Sequence, residues 1–197
     1  MLLLQLQRMR PRLGLDFFTD TSIPWPWYVA RTAAARQATG FILWVLAYLL
    51  VYRSQPIDTY RLYAGKVWLL TLFTSPVIET LEMAGAIALC QRLRIPPMWT
   101  AALSGALIGS QHFGYNVAVG AMWTWGFFVY ALCFLAWEKK SWLSAVLVTA
   151  AVHSFDNLLW ILRNLIGVAL YGPDWNVYPL KCMVYLFCLP FNLWGMR

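Results

Sequence analysis

The sequence predicts an all-α membrane protein, a polytopic bundle of about six transmembrane helices. Of its 197 residues, 61% are hydrophobic and 12% are charged, and the mean hydropathy is +0.59. A soluble domain is nearer half apolar and a quarter charged, and so few charges would not cover this much apolar surface. The 12 Trp residues also favour a membrane, because aromatic rings with one polar edge suit the headgroup region.

Six apolar stretches predict the transmembrane helices. They cover about residues 33–52, 67–90, 98–113, 117–137, 141–162 and 179–194. A helix that crosses a bilayer needs roughly 20 residues, and the third and sixth stretches are short by this standard. The helical pattern of the fifth stretch extends towards residue 170. We therefore expect one transmembrane helical domain over residues 33–197.

Residues 1–32 precede the first predicted span and are mixed in character. Apolar residues at the start are followed by Arg8, Arg10 and Arg12, which suits a short amphipathic anchor on the membrane. The apolar part is too short for a cleavable signal peptide, and its arginines follow it where they should precede it. Residues 23–28, Ile-Pro-Trp-Pro-Trp-Tyr, are expected to break the chain and to supply an interfacial aromatic cluster. We interpret 1–32 as an N-terminal interfacial segment.

Basic residues predict the orientation of the bundle. With the predicted spans, ten basic residues fall on the side of the N-terminus: Arg8, Arg10, Arg12, Arg31, Arg36, Arg92, Arg94, Lys139, Lys140 and Arg197. Five fall on the opposite side: Arg53, Arg61, Lys66, Arg163 and Lys181. The positive-inside rule then places both termini in the cytoplasm, in the inner or cytoplasmic membrane of a cell. The net charge of +7 also suits anionic lipid, whereas basic residues scattered through loops and ends argue against nucleic-acid binding.

Several ionisable side chains fall in or near the predicted spans, where they are costly and therefore indicate function. They are Glu79, Glu82, His112, His153 and Asp156. His153 and Asn157 are four residues apart and share one helix face, as His112 and Asn116 would if the helix reaches that far. Glu79 and Glu82 are three residues apart, which separates them by about 60° on a helix.

A carboxylate, two imidazoles and a carboxamide that meet between helices form a hydrolytic set. The carboxylate takes a proton from water, one imidazole assists, and the other imidazole with the carboxamide donates to a developing oxyanion. The candidate catalytic residues are Glu79, His112, His153 and Asn157, and the candidate supporting residues are Glu82, Asn116 and Asp156.

Other interpretations of these residues stay open at this point. Each polar residue alone is more often a contact between packed helices. Glu, His and Asp are also metal ligands, but the chain has no HExxH or ExxH spacing. Two buried histidines would also suit haem or another pigment, and Cys133 or Ser110 is a weaker candidate nucleophile. Transporters usually have two repeated halves. The only repeat noted in this sequence is the pattern HxxxN, at His112–Asn116 and His153–Asn157, which is too short to indicate repeated halves. We therefore predict no metal and no cofactor.

Three short motifs resemble those of the CPBP family of CAAX-protease and bacteriocin-processing membrane peptidases, also called the Abi family. Residues 75–85, Ser-Pro-Val-Ile-Glu-Thr-Leu-Glu-Met-Ala-Gly, resemble its first motif, P-x-x-E-E-x-x-F-R-G. Residues 107–112, Leu-Ile-Gly-Ser-Gln-His, resemble the second, FxxxH. Residues 151–157, Ala-Val-His-Ser-Phe-Asp-Asn, resemble the third, HxxxN or HxxxD. The resemblance covers about residues 66–162, in the family's order and on three separate predicted helices.

The resemblance implies a metal-independent glutamate peptidase that acts within the membrane on a peptide or a lipid-modified protein tail. By this resemblance, Glu79 would be the carboxylate that activates water, and His112 would assist it. His153 and Asn157 would form the oxyanion site. All four positions are filled in this chain.

The chain departs from the family pattern in its first and second motifs. Thr80 replaces the second Glu of the first motif, Ala84 replaces its Arg, and Ile108 replaces the Phe of the second motif. The family's Glu and Arg are four residues apart, which is the spacing of an ion pair on a helix. Because both partners are absent here, neither charge is left buried without its partner. The pattern fits loss of a structural pair with the reactive set kept. It also fits a catalytically inactive protein that serves as an immunity factor or as an accessory subunit of a membrane complex.

Glu82 is additional to the family pattern. We expect it either to pair with a basic side chain or to take over part of the acid role.

Overall fold

The computed structural model describes residues 16–51, 70–112 and 117–171, and all of the regular structure in these ranges is helical. The helices are α1 (Asp16–Thr19), α2 (Trp25–Val51), a π-helical turn (Leu70–Thr74), α3 (Ser75–Arg92), α4 (Pro97–Ser110), α5 (Val117–Glu138) and α6 (Trp142–Tyr171). The predicted all-α class is therefore confirmed for the described part of the chain. The predicted sixth span, the loop at 53–66 and the basic anchor at residues 8–12 lie outside it.

Within the described ranges, three stretches are long and apolar enough to cross a membrane, which indicates a membrane protein. They are Leu70–Arg92, Gly120–Glu138 and Trp142–Arg163. They correspond to the second, fourth and fifth predicted spans. The helix at the third predicted span, α4, has 14 residues, fewer than the roughly 20 that a crossing helix needs.

The first long helix begins earlier than the sequence predicts. The run at 23–28 was expected to break the chain, with a span from about residue 33, but α2 begins at Trp25 and continues for 27 residues. Proline is tolerated in a first helical turn, because the N–H groups there have no partner within the helix. Pro26 therefore lies inside α2, and Tyr28 N already donates to the carbonyl oxygen of Pro24 at 3.0 Å.

The residues before α2 are folded onto the bundle. Tyr28 Oη donates to the carbonyl oxygen of Phe18, whose side chain is buried. Arg31 Nη2 donates to the carbonyl oxygen of Phe17 at 2.6 Å, and its guanidinium lies 4.3 Å from the centre of the Phe17 ring. Lys140 Nζ, in the turn between α5 and α6, donates to the carbonyl oxygen of Thr21 at 2.8 Å. The predicted interfacial segment thus includes a part, residues 16–24, that packs against the helices.

Helix α5 is the centre of the described bundle and contacts each of the other α-helices in it. Its C-terminal half is almost completely buried, from Phe127 to Trp137. Helices α2, α4 and α6 make the most extensive contacts with it. Side chains that α5 presents to these neighbours can therefore connect several helices at once.

Two glycines set the distance between α4 and α5. A Cβ atom on Gly105 would lie 2.6 Å from the backbone nitrogen of Phe128, and one on Gly109 would lie 2.5 Å from Cα of Thr124. Both separations are too short for real Cβ atoms. Glycines four residues apart allow the backbones of two membrane helices to approach closely, which increases their van der Waals contact.

Replacing Gly105 with Ala is expected to lower the melting temperature of the protein in detergent micelles. Overpacking against a backbone costs about 1–3 kcal/mol, against about 1 kcal/mol that Ala gains over Gly in a helix. Gly85→Ala is the matched control, because a Cβ on Gly85 meets nothing within 4 Å. Circular dichroism melting curves measure both variants. Equal melting temperatures for the two variants would contradict the close packing of α4 on α5.

Candidate functional site

The glutamate and one histidine predicted for the site are brought together between α3 and α6. Nε2 of His153 lies 3.5 Å from Oε2 of Glu79. The His153 side chain is 2% exposed, whereas that of Glu79 is 18% exposed. One turn earlier on α3, Ser75 Oγ donates to Oε1 of Glu79 at 2.5 Å. The carboxylate is therefore held from two sides and still reaches the molecular surface.

The second histidine, His112, follows α4 and contacts the aromatic side chains of α5. Its ring stacks on Trp123 with the ring centres 4.9 Å apart and lies 5.4 Å from Phe127. The same two rings pack against His153, with centre separations of 6.4 Å and 5.5 Å. The two histidines thus share the Trp123–Phe127 pair, while the residue that faces Glu79 is His153. The resemblance implies that His112 assists Glu79.

Asn157 connects α6 to the π-helical turn. Its Nδ2 donates to the carbonyl oxygen of Thr71 at 2.8 Å. In π-helical bonding, residue 76 would donate to this carbonyl, but Pro76 has no N–H. Asn157 therefore supplies a donor that the proline cannot. The amide NH₂ group of Asn157 has two hydrogens, and this bond uses one of them. One hydrogen therefore remains to donate to an oxyanion.

Asp156 lies beside these residues in sequence but forms a separate buried ion pair. Nη1 of Arg36 lies 2.9 Å from Oδ2 of Asp156, and both side chains are 1% exposed. Tyr130 Oη donates to the same oxygen at 2.5 Å. Gln37 Nε2 donates to the backbone carbonyl oxygen of Asp156 at 2.9 Å. The pair connects α2, α5 and α6.

The buried ion pair reaches the candidate site through Tyr130. The Tyr130 ring stacks on the His153 ring with centres 4.5 Å apart and an angle of 26° between the planes. The hydrogen bond from the Tyr130 hydroxyl to Asp156 therefore also holds the Tyr130 ring in the position in which it stacks on His153. Nδ1 of His153 has no hydrogen-bond partner among the described residues, so stacking and the Glu79 contact set the orientation of its ring.

A glycine on α5 makes room for Arg36. A Cβ atom on Gly126 would lie 2.6 Å from Nε of Arg36. The guanidinium also lies 5.1 Å from the centre of the Trp123 ring, within the range of a cation–π contact. The bulk of Arg36 is thus accommodated by the absence of a side chain at residue 126.

Sequence reasoning missed Arg36, Tyr130 and Trp123. Arg36 was grouped with the basic residues that flank spans, yet it is buried in an ion pair. The signal was its position, because an arginine inside the predicted span 33–52 needs an acid at similar depth, such as Asp156. Tyr130 and Trp123 gave no such signal in a chain that is 17% aromatic.

The remaining sequence candidates lie apart from the Glu79–His153 contact or outside the described residues. Glu82 is exposed on α3, and Asn116 lies outside the described ranges. Thr80 and Ala84 are buried, 2% and 4% exposed, so a charged pair at these positions would be buried too.

The alternative nucleophiles are each hydrogen-bonded within the bundle, Ser110 in its own helix and Cys133 to the neighbouring helix α6. Ser110 Oγ donates to the carbonyl oxygen of Leu107 at 2.7 Å, and Cys133 is buried beside Thr149. Within the described ranges, no three His, Cys, Asp or Glu side chains gather in a way that would hold a metal ion.

Comparisons with protein-family models, with curated proteins and with solved structures found no match to this chain. The likeness to the CPBP motifs therefore rests on the residues themselves.

The Arg36–Asp156 pair is expected to behave as one energetic unit. Arg36→Met or Asp156→Leu alone disrupts a buried pair, which costs about 3–5 kcal/mol. The double variant Arg36→Met/Asp156→Leu is expected to recover most of that loss, because apolar side chains replace both charges. Glu82→Gln, which removes the charge of an exposed acid, is the control. Unfolding of all four variants in detergent gives the coupling energy, and strictly additive losses would contradict the pairing.

Proposed function

We propose that this chain is a polytopic membrane hydrolase of the CPBP type, with about six transmembrane helices, that cleaves a peptide or a lipid-modified protein tail. The observation that carries the proposal is the Glu79–His153 contact of 3.5 Å between two helices, with the carboxylate 18% exposed and the imidazole buried. A base needs both features, because it must reach water and must also be oriented by the protein.

In the proposed reaction Glu79 acts as the general base. Its carboxylate takes a proton from a water molecule as the water oxygen forms a bond to the substrate carbonyl carbon, and the carbonyl electron pair moves to the oxygen. The oxyanion then re-forms the carbonyl double bond as the carbon–nitrogen bond breaks, and the proton passes to the leaving nitrogen with His153 as the relay. The contact of 3.5 Å is longer than a hydrogen bond, and contacts in catalytic sites often tighten when the substrate binds.

The developing oxyanion needs donors near the same place. Asn157 retains one amide hydrogen beyond the one that binds Thr71, and it lies four residues from His153 on the same face of α6. His112 approaches the site from α4 across Trp123 and Phe127. These two side chains are the oxyanion donors in the proposal, so His112 takes the place that the resemblance gives to His153.

The proposal places both termini in the cytoplasm, in the inner or cytoplasmic membrane. Arg36 is buried in an ion pair, so we do not count it among the charges that flank the spans. Ten basic residues on the side of the N-terminus minus one leave nine, against five on the opposite side. The asymmetry on which the positive-inside rule depends therefore remains.

A second candidate function is a non-catalytic CPBP-like protein that acts as an immunity factor or as an accessory subunit of a membrane complex. The observation that favours it is that Glu79 and Asn157 already have partners within the chain, Ser75 and Thr71. Polar contacts of this kind also hold membrane helices together without any chemistry.

Cleavage of fluorogenic peptides, with and without a lipid group, by purified protein tests the proposal. Glu79→Gln and His153→Ala are each expected to lower the rate by about 10²–10⁴-fold, because each removes a proton-transfer group. Glu82→Gln is the matched control on the same helix and is expected to retain activity. Melting curves of every variant separate loss of chemistry from loss of fold.

The opposite pattern would support the second candidate. No cleavage by the parent protein, together with lower melting temperatures for Glu79→Gln and His153→Ala, would show that the contact is structural. Purification of the intact complex from its native membrane would then identify the partner.

A further inference from the structure

Of the three candidate membrane spans in the described ranges, the one that contains α3 has the most open surface. In an apolar stretch of 18 residues within Leu70–Arg92, 28% of the residues are buried, against 67% and 56% in the corresponding stretches of α5 and α6. One stripe of α3, which we name the outer face, is exposed along its length. It consists of Ile78, Leu81, Glu82, Gly85 and Leu89. These positions follow the spacing i, i+3, i+4, i+7 and i+11, so they form one continuous helix face.

A carboxylate lies in the middle of this apolar stripe. Glu82 is the thirteenth of the 23 residues of the candidate span, so at 1.5 Å per residue it is about 15 Å or more from either end. Long Lys and Arg side chains near helix ends reach the headgroups, but a glutamate at this depth is too short to do so. A side chain of this kind normally faces a protein partner or a water-filled cavity.

The described part of the chain offers no cation for Glu82. Within it, no basic side chain lies within 4 Å of the Glu82 carboxylate. The basic residues elsewhere fall in predicted loops or near the ends of predicted spans, such as Arg61, Lys66 and Lys181. A second copy of the same face would bring two carboxylates together, which is unfavourable. Among the described residues no charge complements Glu82, and a basic side chain on another membrane helix would do so.

The shape of the outer face fits a helix. A Cβ atom on Gly85, one turn after Glu82, meets nothing within 4 Å, so this position is a shallow notch between Leu81 and Leu89. Small residues let the backbone of a second membrane helix approach, and a polar side chain beside them supplies a hydrogen bond or an ion pair. Glu82 and Gly85 thus combine the two features of a helix-docking face.

We propose that the outer face of α3 binds a transmembrane helix of another protein that carries a lysine or arginine at the depth of Glu82. The notch at Gly85 receives the backbone of that helix, and Glu82 pairs with its basic side chain. The interaction needs no catalytic step, so it stands or falls independently of the hydrolase proposal.

Binding of synthetic helices in lipid vesicles tests this inference. The probes are two Trp-free Leu/Ala helices of about 21 residues, one with a single central lysine and one with leucine at that position. Each carries a dansyl acceptor, and the Trp residues of the full chain in phosphatidylcholine vesicles are the energy-transfer donors. We expect the lysine helix to bind about tenfold more tightly than the leucine helix.

Three variants of the full chain make the test specific. Glu82→Gln is expected to abolish most of the preference for the lysine helix, and Gly85→Leu is expected to weaken binding of both probes. Neither variant should lower the melting temperature of the chain alone, since both positions are exposed. Glu79→Gln is expected to keep the preference, which separates this result from the outcome of the cleavage assay.

Three results would each overturn the inference. The first is equal binding of the two helices, or binding of neither. The second is a lower melting temperature for Glu82→Gln and Gly85→Leu in the absence of probe, which would show that the chain covers this face itself. The third is self-association of the parent chain that Glu82→Gln abolishes, which would assign the face to a second copy.

Discussion

The described bundle depends on one buried ion pair, Arg36 with Asp156. Both side chains are 1% exposed, and the desolvation of two charges costs several kcal/mol for each. The protein offsets this cost with the Tyr130 hydroxyl on the carboxylate and the Trp123 ring beside the guanidinium. Three helices must be in register for these contacts to form together. The pair therefore specifies how α2, α5 and α6 are placed relative to one another.

The same helix face that carries Asp156 also carries the candidate site. His153, Asp156 and Asn157 are spaced i, i+3 and i+4, so they project from one side of α6. Each nevertheless has a different partner, namely Glu79 on α3, Arg36 on α2 and Thr71 in the π-helical turn. One turn of α6 thus joins three other elements. A small shift of α6 would disturb all three contacts together, and Tyr130 couples two of them directly through its stacking on His153.

The sequence indicated the long helices and the acidic residues within them, but it gave less information on which side chains those acids contact. Long apolar runs predicted the regions of α3, α5 and α6, because a helix that crosses a bilayer needs an apolar surface over its full length. Glu79, His153 and Asp156 were identified because an ionisable residue in such a run is costly and therefore conspicuous.

The partners gave weaker signals. The position of Arg36, three residues into a predicted span, resembles that of a flanking charge. The start of α2 was misplaced because a Pro-Trp-Pro run suits both a break and a first helical turn. Which histidine faces Glu79 depends on the packing of α4 against α5, and a one-dimensional pattern contains no information on that packing.

The distribution of polar contacts bears on whether the candidate site can perform chemistry. A general base must accept and release a proton during turnover while the protein holds it in place, so it helps if other groups stabilise the bundle. Here the close approach of α4 to α5 at Gly105 and Gly109 and the Arg36–Asp156 pair stabilise the bundle without using Glu79 or His153. Thr80 and Ala84, the positions where the family has its Glu and Arg, are buried without charge. The buried charge pair of this chain thus joins separate helices, α2 and α6, whereas Glu79 of α3 contacts α6 at His153. That arrangement leaves the Glu79 carboxylate outside the ion pair that holds the fold, while His153 is linked to the pair through the Tyr130 ring.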